Sequence, residues 1–326
     1  KSFQMLPLIS IIMPIYNADK FLAKSLDSIL NQSFQEYELI LLNDGSKDNT
    51  LNILNRLKLK EPRLKVLNYE NHGLSFARNR GIEQAQGQYI MFVDGDDFLN
   101  ENIVNELLNT LEEKKLDIIA CNYSMYYSQS EKVVGNKTDT TNLNESSIDF
   151  IKRLFEPEKR FCSAWAKLYK MSLLKNMCYP ENIYFGEDMF TAHILFDKAK
   201  KVGYIDKELY YYSQEGVSLV RSKFNVNKIN MVVAAKNWVE LCQEKYPSIL
   251  SQAYTNYYST MINICSYLCM DKEFYSYYFT YKTELKNNKD KILKSCLSKN
   301  DKIKAVLIML MPPNMYYKVR TILLKE

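Results

Sequence analysis

The chain is 326 residues long, 47% apolar and 25% charged, a balance that belongs to a folded globular protein and excludes wholesale disorder and collagen-like repeats. The length allows about two domains and a sizeable buried core. A net charge of +5 hides a split, −3 over residues 1–222 and +8 over residues 223–326, so the C-terminal third is either a solvated lysine-rich surface or a face for something anionic.

Residues 8–15 are a β-branched run of strand length. Phe21, Leu22, Leu26, Ile29 and Leu30 then recur at helical spacing, with Asn17 or Asp19 as the N-cap. A buried strand is expected over 38–42, then a turn at 43–46 and a helix through Lys58. Strands at 64–68, 89–93 and 117–123 and helices at 74–86 and 101–114 continue the alternation. Unbroken apolar strands separated by helices predict an α/β fold whose mostly parallel sheet is covered on both faces. Beyond residue 124 the pattern loosens. Residues 128–146 are polar and read as a surface excursion, a short helix is expected at 148–155, and the segments 161–176 and 186–200 follow. Residues 202–205 and 208–212 read as two short strands. From Phe224 onward the patterns are amphipathic and helical, with no glycine at all.

The apolar run 305–311 is seven residues long and stops at Pro312-Pro313, against the roughly 20 residues that span a bilayer. Seven cysteines without a CxxC pair read as small core residues in a reducing, cytoplasmic setting. Cys265 and Cys269 share a helix face, but no histidine lies near enough in sequence to complete a zinc site.

In an open α/β sheet, ligands bind beyond the carboxyl ends of the strands. Here the first strand ends in Pro14-Ile15-Tyr16-Asn17, the second in Asn43-Asp44-Gly45-Ser46 and the fourth in Asp94-Gly95-Asp96-Asp97. Three strand ends thus bring carboxylates, amides and an aromatic ring to one crevice. Carboxylates as dense as those of residues 94–97 repel one another unless a cation or several donors balance them. Hard ions such as Mg2+ or Mn2+ take such oxygens together with substrate phosphate. The bland alternative is an acidic turn capping the next helix, the role that Asp97 fits. Asp44 offers an acceptor to a base N–H or a ribose hydroxyl, or forms an Asx turn. Gly73 lets the backbone approach a ligand closely, and Arg78 presents a planar donor fork to phosphate or base. Glu187 and Asp188 are adjacent, so on a helix they diverge by about 100° and only one can face a reacting centre. An acidic first helical turn is the structural alternative for that pair.

The combination of Ser10-Ile11-Ile12-Met13-Pro14-Ile15-Tyr16-Asn17, Leu42-Asn43-Asp44-Gly45-Ser46 with Asp48 and Thr50, Gly73-Leu74-Ser75-Phe76-Ala77-Arg78-Asn79-Arg80-Gly81 and Phe92-Val93-Asp94-Gly95-Asp96-Asp97 resembles the family 2 glycosyltransferases. Order and spacing agree across residues 8–120. The resemblance extends more loosely to residue 222, through Trp165-Ala166-Lys167-Leu168-Tyr169 and Gly186-Glu187-Asp188. It implies a GT-A fold (Rossmann-like, a mostly parallel sheet flanked by helices), an inverting mechanism and a nucleotide-sugar donor, most often UDP-linked. It further implies that Pro14, Tyr16 and Asn17 line the base pocket, that Asp44 faces the base, and that Gly73 and Arg78 lie near the nucleotide. In the DxD motif, Asp94 would contact ribose or metal and Asp96 would ligate Mn2+ or Mg2+. Asp188 would be the general base, with Glu187 as orienter or second choice.

One segment departs from the family pattern. Members often place arginine or histidine in the tyrosine-rich stretch after the base, to hold the diphosphate; here Tyr210-Tyr211-Tyr212-Ser213-Gln214-Glu215 has no basic side chain. Ser218, Arg221 or Lys223 would substitute. The Gln-x-x-Arg-Trp signature of processive synthases is absent, which favours the addition of one sugar at a time.

The expected architecture is a GT-A catalytic domain over residues 5–222, divided into a nucleotide-sugar half (5–120) and an acceptor half (121–222). An all-α domain over 223–326 follows. The expected reaction moves one sugar from a UDP-hexose or UDP-N-acetylhexosamine to a hydroxyl of a glycan or lipid-linked acceptor in bacterial surface polysaccharide synthesis. The basic stretch 302–320 would either pack as a plain helix or lie on the inner face of an anionic membrane. The helical tyrosines read as core residues with hydroxyls at the rim rather than as base-stacking platforms, so no nucleic-acid partner is expected. Two rivals stand beside this reading: a nucleotidyltransferase that consumes a nucleoside triphosphate, and a non-catalytic glycan- or nucleotide-binding protein of the same fold.

Overall fold

The computed structural model describes residues 7–130, 132–135, 141–155, 162–215 and 223–323. The chain divides into two compact units, residues 1–222 and 223–326.

Among the described residues ten strands build the first unit: β1 (Ile9–Ile15), β2 (Tyr37–Asp44), β3 (Leu64–Tyr69), β4 (Tyr89–Phe92), β5 (Phe98–Leu99), β6 (Ile118–Tyr127), β7 (Lys132–Gly135), β8 (Asn142–Ser146), β9 (Lys167–Lys170) and β10 (Lys201–Ser213). They form one sheet in the order β3-β2-β1-β4-β9-β6-β10-β5, with β7 paired to β6 and β8 to β10. Strands β1, β2, β3, β4, β6 and β10 share one direction, and the other four run against it. The helices of this unit are α1 (Leu22–Leu30), α2 (Thr50–Lys58), α3 (Leu74–Gln84), α4 (Ile103–Lys114), α5 (Ser147–Leu154), α6 (Met171–Leu174) and α7 (Glu187–Lys198).

Every residue of β1 and β2 is buried, as expected of parallel strands covered on both faces. Ile9, Ile11, Met13 and Ile15 share a core with Leu22, Leu26 and Ile29 of α1 and with Ile103, Leu107 and Leu111 of α4. On the opposite face lies α3. Its Gly81 sits so close to β1 that a Cβ there would collide with Ile12 Cγ2. That glycine therefore serves helix–strand packing, not the approach of a ligand. In-register pairing of β1 with β2 (Ile9 with Tyr37, Ile15 with Asn43) and with β4 (Ile9 with Tyr89, Ile12 with Phe92) sets three carboxyl ends side by side.

Several elements differ from the sequence expectation. Neither Asn17 nor Asp19 caps α1, whose first residue is Leu22. Instead Asn17 adopts a left-handed φ of 49°, and its Oδ1 accepts from the Lys47 N–H at 2.8 Å. The polar stretch 128–146 contains β7 and β8. The side chains of β7 are largely exposed, and an exposed short strand needs no apolar alternation. Residues 202–212 belong to one strand, β10, whose register against β6 slips on both sides of Glu208, so a bulge breaks the period of two. Most consequential is β9, a four-residue strand with lysine at each end, inserted antiparallel between β4 and β6. Asp117, just before β6, ties the neighbouring strands together: it accepts from Lys170 Nζ at 2.8 Å and from the Lys200 and Lys201 N–H groups at 2.8 and 3.2 Å.

The second unit holds α8 (Asn230–Lys245), α9 (Leu250–Leu268), α10 (Tyr275–Asn287), α11 (Lys289–Lys294), α12 (Lys299–Leu310) and α13 (Pro313–Leu323), and among the described residues no strand. Trp238, Tyr258, Cys265, Tyr278 and Tyr316 are buried in it, and the Tyr316 hydroxyl finds Ser266 Oγ at 3.2 Å. Ser298 caps α12 by accepting from the Asp301 N–H at 3.0 Å. No described helix is long and apolar enough to cross a membrane.

Candidate active site

The loops after β1 and β2 are stitched to each other. The Asn17 N–H donates to Ser46 Oγ at 2.9 Å, and the Ala18 N–H to Thr50 Oγ1 at the same distance. Pro14 is buried within β1, whereas Tyr16 is half exposed at the loop surface. Asp44 ends β2 and accepts from the His72 and Gly73 N–H groups at 2.8 and 2.9 Å, one to each carboxylate oxygen. Its first task is therefore to hold the loop that leads into α3. Gly73 has a φ of 92°, a left-handed value that glycine adopts without the Cβ penalty of other residues.

Arg78 is the electrostatic centre. Its side chain is 1% exposed, and it gathers carboxylates from two distant elements. Nη1 donates to Glu187 Oε1 at 2.8 Å and to Asp188 Oδ1 at 2.5 Å, while Nη2 reaches Asp94 Oδ1 at 3.4 Å. Burial works against the guanidinium charge, but Asp188, Glu187 and Asp94 outweigh it and hold the pKa well above the usual arginine value. The expectation that Arg78 offers its fork to phosphate or base is thus modified, because in this structure the fork is occupied by protein carboxylates.

Glu187 and Asp188 open α7 behind Gly186. Glu187 points inward, with 10% of its side chain exposed against 18% for Asp188. Burial and the adjacent Asp188 push the Glu187 carboxyl up, against the pull of Arg78. Asp188 is held by a second donor, the Ala164 N–H, at 3.1 Å from Oδ2. A carboxylate offers about four lone-pair sites, so two donors leave room for a substrate hydroxyl.

The carboxylates that end β4 have separate surroundings. Asp94 is pushed up to about 7 by burial, opposed by Arg78 and reinforced by Asp96. Asp96 is partly exposed. Asp97 is fully buried and does not cap the next helix, which Asn102 precedes. It accepts from the Tyr210 hydroxyl at 2.6 Å and the Ser213 N–H at 2.8 Å, and the Asp94 N–H donates to the same Tyr210 oxygen at 3.2 Å. Asp97 is thus a strut that fixes the end of β4 against β10. Burial, with Asp96 and Asp94 nearby, pushes its carboxyl well up.

The fold gathers Asp94, Glu187 and Asp188 around Arg78, and it sets Pro14, Tyr16, Asn17 and Asp44 at the adjoining strand ends, with Gly73 bonded to Asp44 at the start of α3. Ser218 and Arg221 lie outside the described residues. Sequence reading missed the Ala164 N–H, Tyr210 and Lys167. Two of them lie in stretches the sequence marks, Lys167 within residues 165–169 and Tyr210 in the run of tyrosines, but neither stretch singles the residue out. Among the described residues no group of three or more His, Cys, Asp or Glu side chains is arranged to hold a metal ion.

Residues 10–178 match the family description Glycosyl transferase family 2. The chain is 34% identical over 218 residues to the uncharacterized glycosyltransferase EpsJ of Bacillus subtilis (strain 168), covering 66% of this chain and 63% of that protein, so the match spans less than two thirds of the relative's length. It is 32% identical over 230 residues to glycosyltransferase GlyG of Streptococcus pneumoniae serotype 4, covering 68% of this chain and 76% of GlyG. It is 30% identical over 254 residues to the minor teichoic acid biosynthesis protein GgaB of Bacillus subtilis, covering 74% of this chain and 28% of GgaB. The crystal structure of S. aureus TarS 1-349 in complex with UDP-GlcNAc superposes with a TM-score of 0.69 at 21% identity, over 95% of this chain and 88% of that one. That likeness establishes the fold, GT-A.

The raised Asp94 pKa has a consequence for stability. A carboxyl whose pKa is higher in the fold than in the unfolded chain, where it is about 3.9, makes the unfolded state the weaker proton binder between the two values. Its contribution to stability therefore falls as pH rises through that window, up to about 7. Thermal melts of the cation-free protein between pH 5 and 8 should show this fall, to which the raised Glu187 and Asp97 carboxyls add, and Asp94→Asn should lessen it. An unchanged pH slope in the variant would show that Asp94 is not among the groups responsible.

Proposed function

The chain belongs to glycosyl transferase family 2, and from that premise we propose that it transfers one sugar from a nucleoside-diphosphate donor to an acceptor hydroxyl, with inversion at the anomeric carbon. The observation that carries the reading is the meeting of Asp94, from the DxD strand end, with the Glu187–Asp188 helix start on one buried guanidinium.

In this reading residues 5–222 are the catalytic domain. Pro14, Tyr16, Asn17, Asp44 and Gly73 form the wall for the nucleotide. Asp188 accepts the proton of the attacking hydroxyl as its oxygen bonds to the anomeric carbon and the bond to the diphosphate breaks. Arg78 and the Ala164 N–H hold that carboxylate while Glu187 completes the charge balance. Three carboxylates on one guanidinium, with Asp96 nearby, leave an excess of negative charge made of hard oxygen donors. Such a donor set suits Mg2+ or Mn2+ bound through one or two carboxylates plus substrate phosphate. A cation held by Asp94 and Asp96 would supply positive charge to the departing diphosphate. Ser218 and Arg221 are the candidates for further diphosphate contacts.

TarS, which shares the fold, has been crystallised with UDP-GlcNAc, and the relative GgaB is named for minor teichoic acid biosynthesis. The first supports a UDP-N-acetylhexosamine as donor, with a UDP-hexose as the other candidate, and the second a surface-glycan acceptor, free or lipid-linked. The helical unit adds a second reading: it carries a net +8 and exposes Ile303, Leu310, Met315 and Ile322 on α12 and α13. Apolar side chains among lysines suit an anionic bilayer surface.

Incubation with UDP-hexoses, UDP-N-acetylhexosamines and nucleoside triphosphates, with and without Mn2+, tests the reaction. Release of UDP is expected; release of pyrophosphate from a triphosphate would establish the nucleotidyltransferase instead. Asp188→Asn should lower kcat on the preferred donor about 100- to 10,000-fold, the range for loss of a general base, with donor affinity little changed. Full turnover in that variant would remove Asp188 from the base role. For the helical unit, sedimentation with vesicles should show stronger binding to phosphatidylserine-containing than to pure phosphatidylcholine membranes, and equal binding to both would overturn the surface reading.

A further inference from the structure

β9 carries a buried lysine that the proposed mechanism does not use. Lys167 is 2% exposed, and its three ammonium donors meet three acceptors in the turn just before the strand: Ser163 O at 2.7 Å, Ser163 Oγ at 3.3 Å and Trp165 O at 3.3 Å. Two residues along the strand, the Tyr169 hydroxyl donates to Ala164 O at 3.1 Å. All three carbonyls of residues 163–165 are thus bonded from β9. The amide between them, the Ala164 N–H, bonds to Asp188 Oδ2. The turn closes through Ala166 at a left-handed φ of 57°, a conformation that costs a non-glycine residue energy and persists where the surroundings enforce it.

We propose that Lys167 is a positioning residue: by bonding the 163–165 turn from behind, it fixes the Ala164 N–H that orients the Asp188 carboxylate. The alternative is a lysine that merely stabilises the acceptor half. The two differ in what they predict, because a misplaced base loses rate without losing donor, whereas lost stability lowers the active fraction. This inference rests on the reading of Asp188 as the base.

The test compares Lys167→Met, Lys167→Arg and Asp188→Asn by UDP release from the best-used UDP-sugar of the panel above, with water as acceptor. Misplacement of a catalytic group by about 1 Å costs on the order of 100-fold. Lys167→Met is therefore expected to lose about 10- to 100-fold in kcat at unchanged donor KM, and the arginine variant to recover part of it. Amide exchange at Ala164, which needs no donor, should speed up in the methionine variant. Should Lys167→Met fail to give a cooperative thermal transition, Tyr169→Phe, which deletes one hydroxyl from the same turn, decides: a smaller kcat loss at unchanged KM is expected. A folded Lys167→Met, or failing that a Tyr169→Phe, with wild-type kcat overturns the proposal while leaving Asp188 as base. Wild-type turnover in Asp188→Asn overturns the base reading itself, and the positioning role with it.

Discussion

The buried guanidinium of Arg78 organises the centre of the first unit. Taking a cation out of water costs several kcal/mol even after the protein relaxes, and only well-aimed partners offset it. Arg78 has three, from the ends of two elements remote in sequence, and none of them could cluster so tightly without it. The mutual dependence fixes the relative placement of β4, α3 and α7. Lysine could not substitute, because a point charge lacks the planar fork that reaches Glu187 and Asp188 from one nitrogen and Asp94 from the other.

Around that centre, the walls are made by side chains bonding to backbone. Asp44 binds the loop before α3, Asn17 and Ser46 join two strand ends, and Asp97 anchors β4 to β10 through Tyr210 and Ser213. Each bond is worth only about 1 kcal/mol net, or somewhat more where a charge is involved. Their joint effect is to hold irregular loops in one shape, which a binding site on strand ends requires.

Much of the first 120 residues was legible in the sequence. β1 and β2 are buried on both faces, so their apolar runs are continuous, and the turn residues that follow mark the strand ends. What stayed hidden has local causes. β9 spans four residues with lysine at both ends, and its pairing partners lie far away in sequence, so no periodicity announces it. β7 is exposed and needs no apolar pattern. Four residues, Asp94-Gly95-Asp96-Asp97, present three carboxylates of one chemical type; which of them becomes a strut is decided by Tyr210 and Ser213, more than 110 positions later. Arg78 read as a donor to a ligand because composition shows the fork but not its target. In the helical unit the sequence reads its tyrosines as packing residues; Tyr257, Tyr258 and Tyr278 are buried, whereas Tyr267 and Tyr277 are exposed.

The span between Arg78 and its partners also bears on how the chain matures. Glu187 and Asp188 follow it by 109 and 110 residues, and the stretch matching the family ends at residue 178. A chain that stops there keeps, of the three carboxylates that pair with Arg78 in the fold, only Asp94, the one at the longest separation. The arrival of α7 then delivers the missing neutralisation and the proposed base together. A prematurely terminated product would lack both, and on the proposed reading it would hold no base for the transfer.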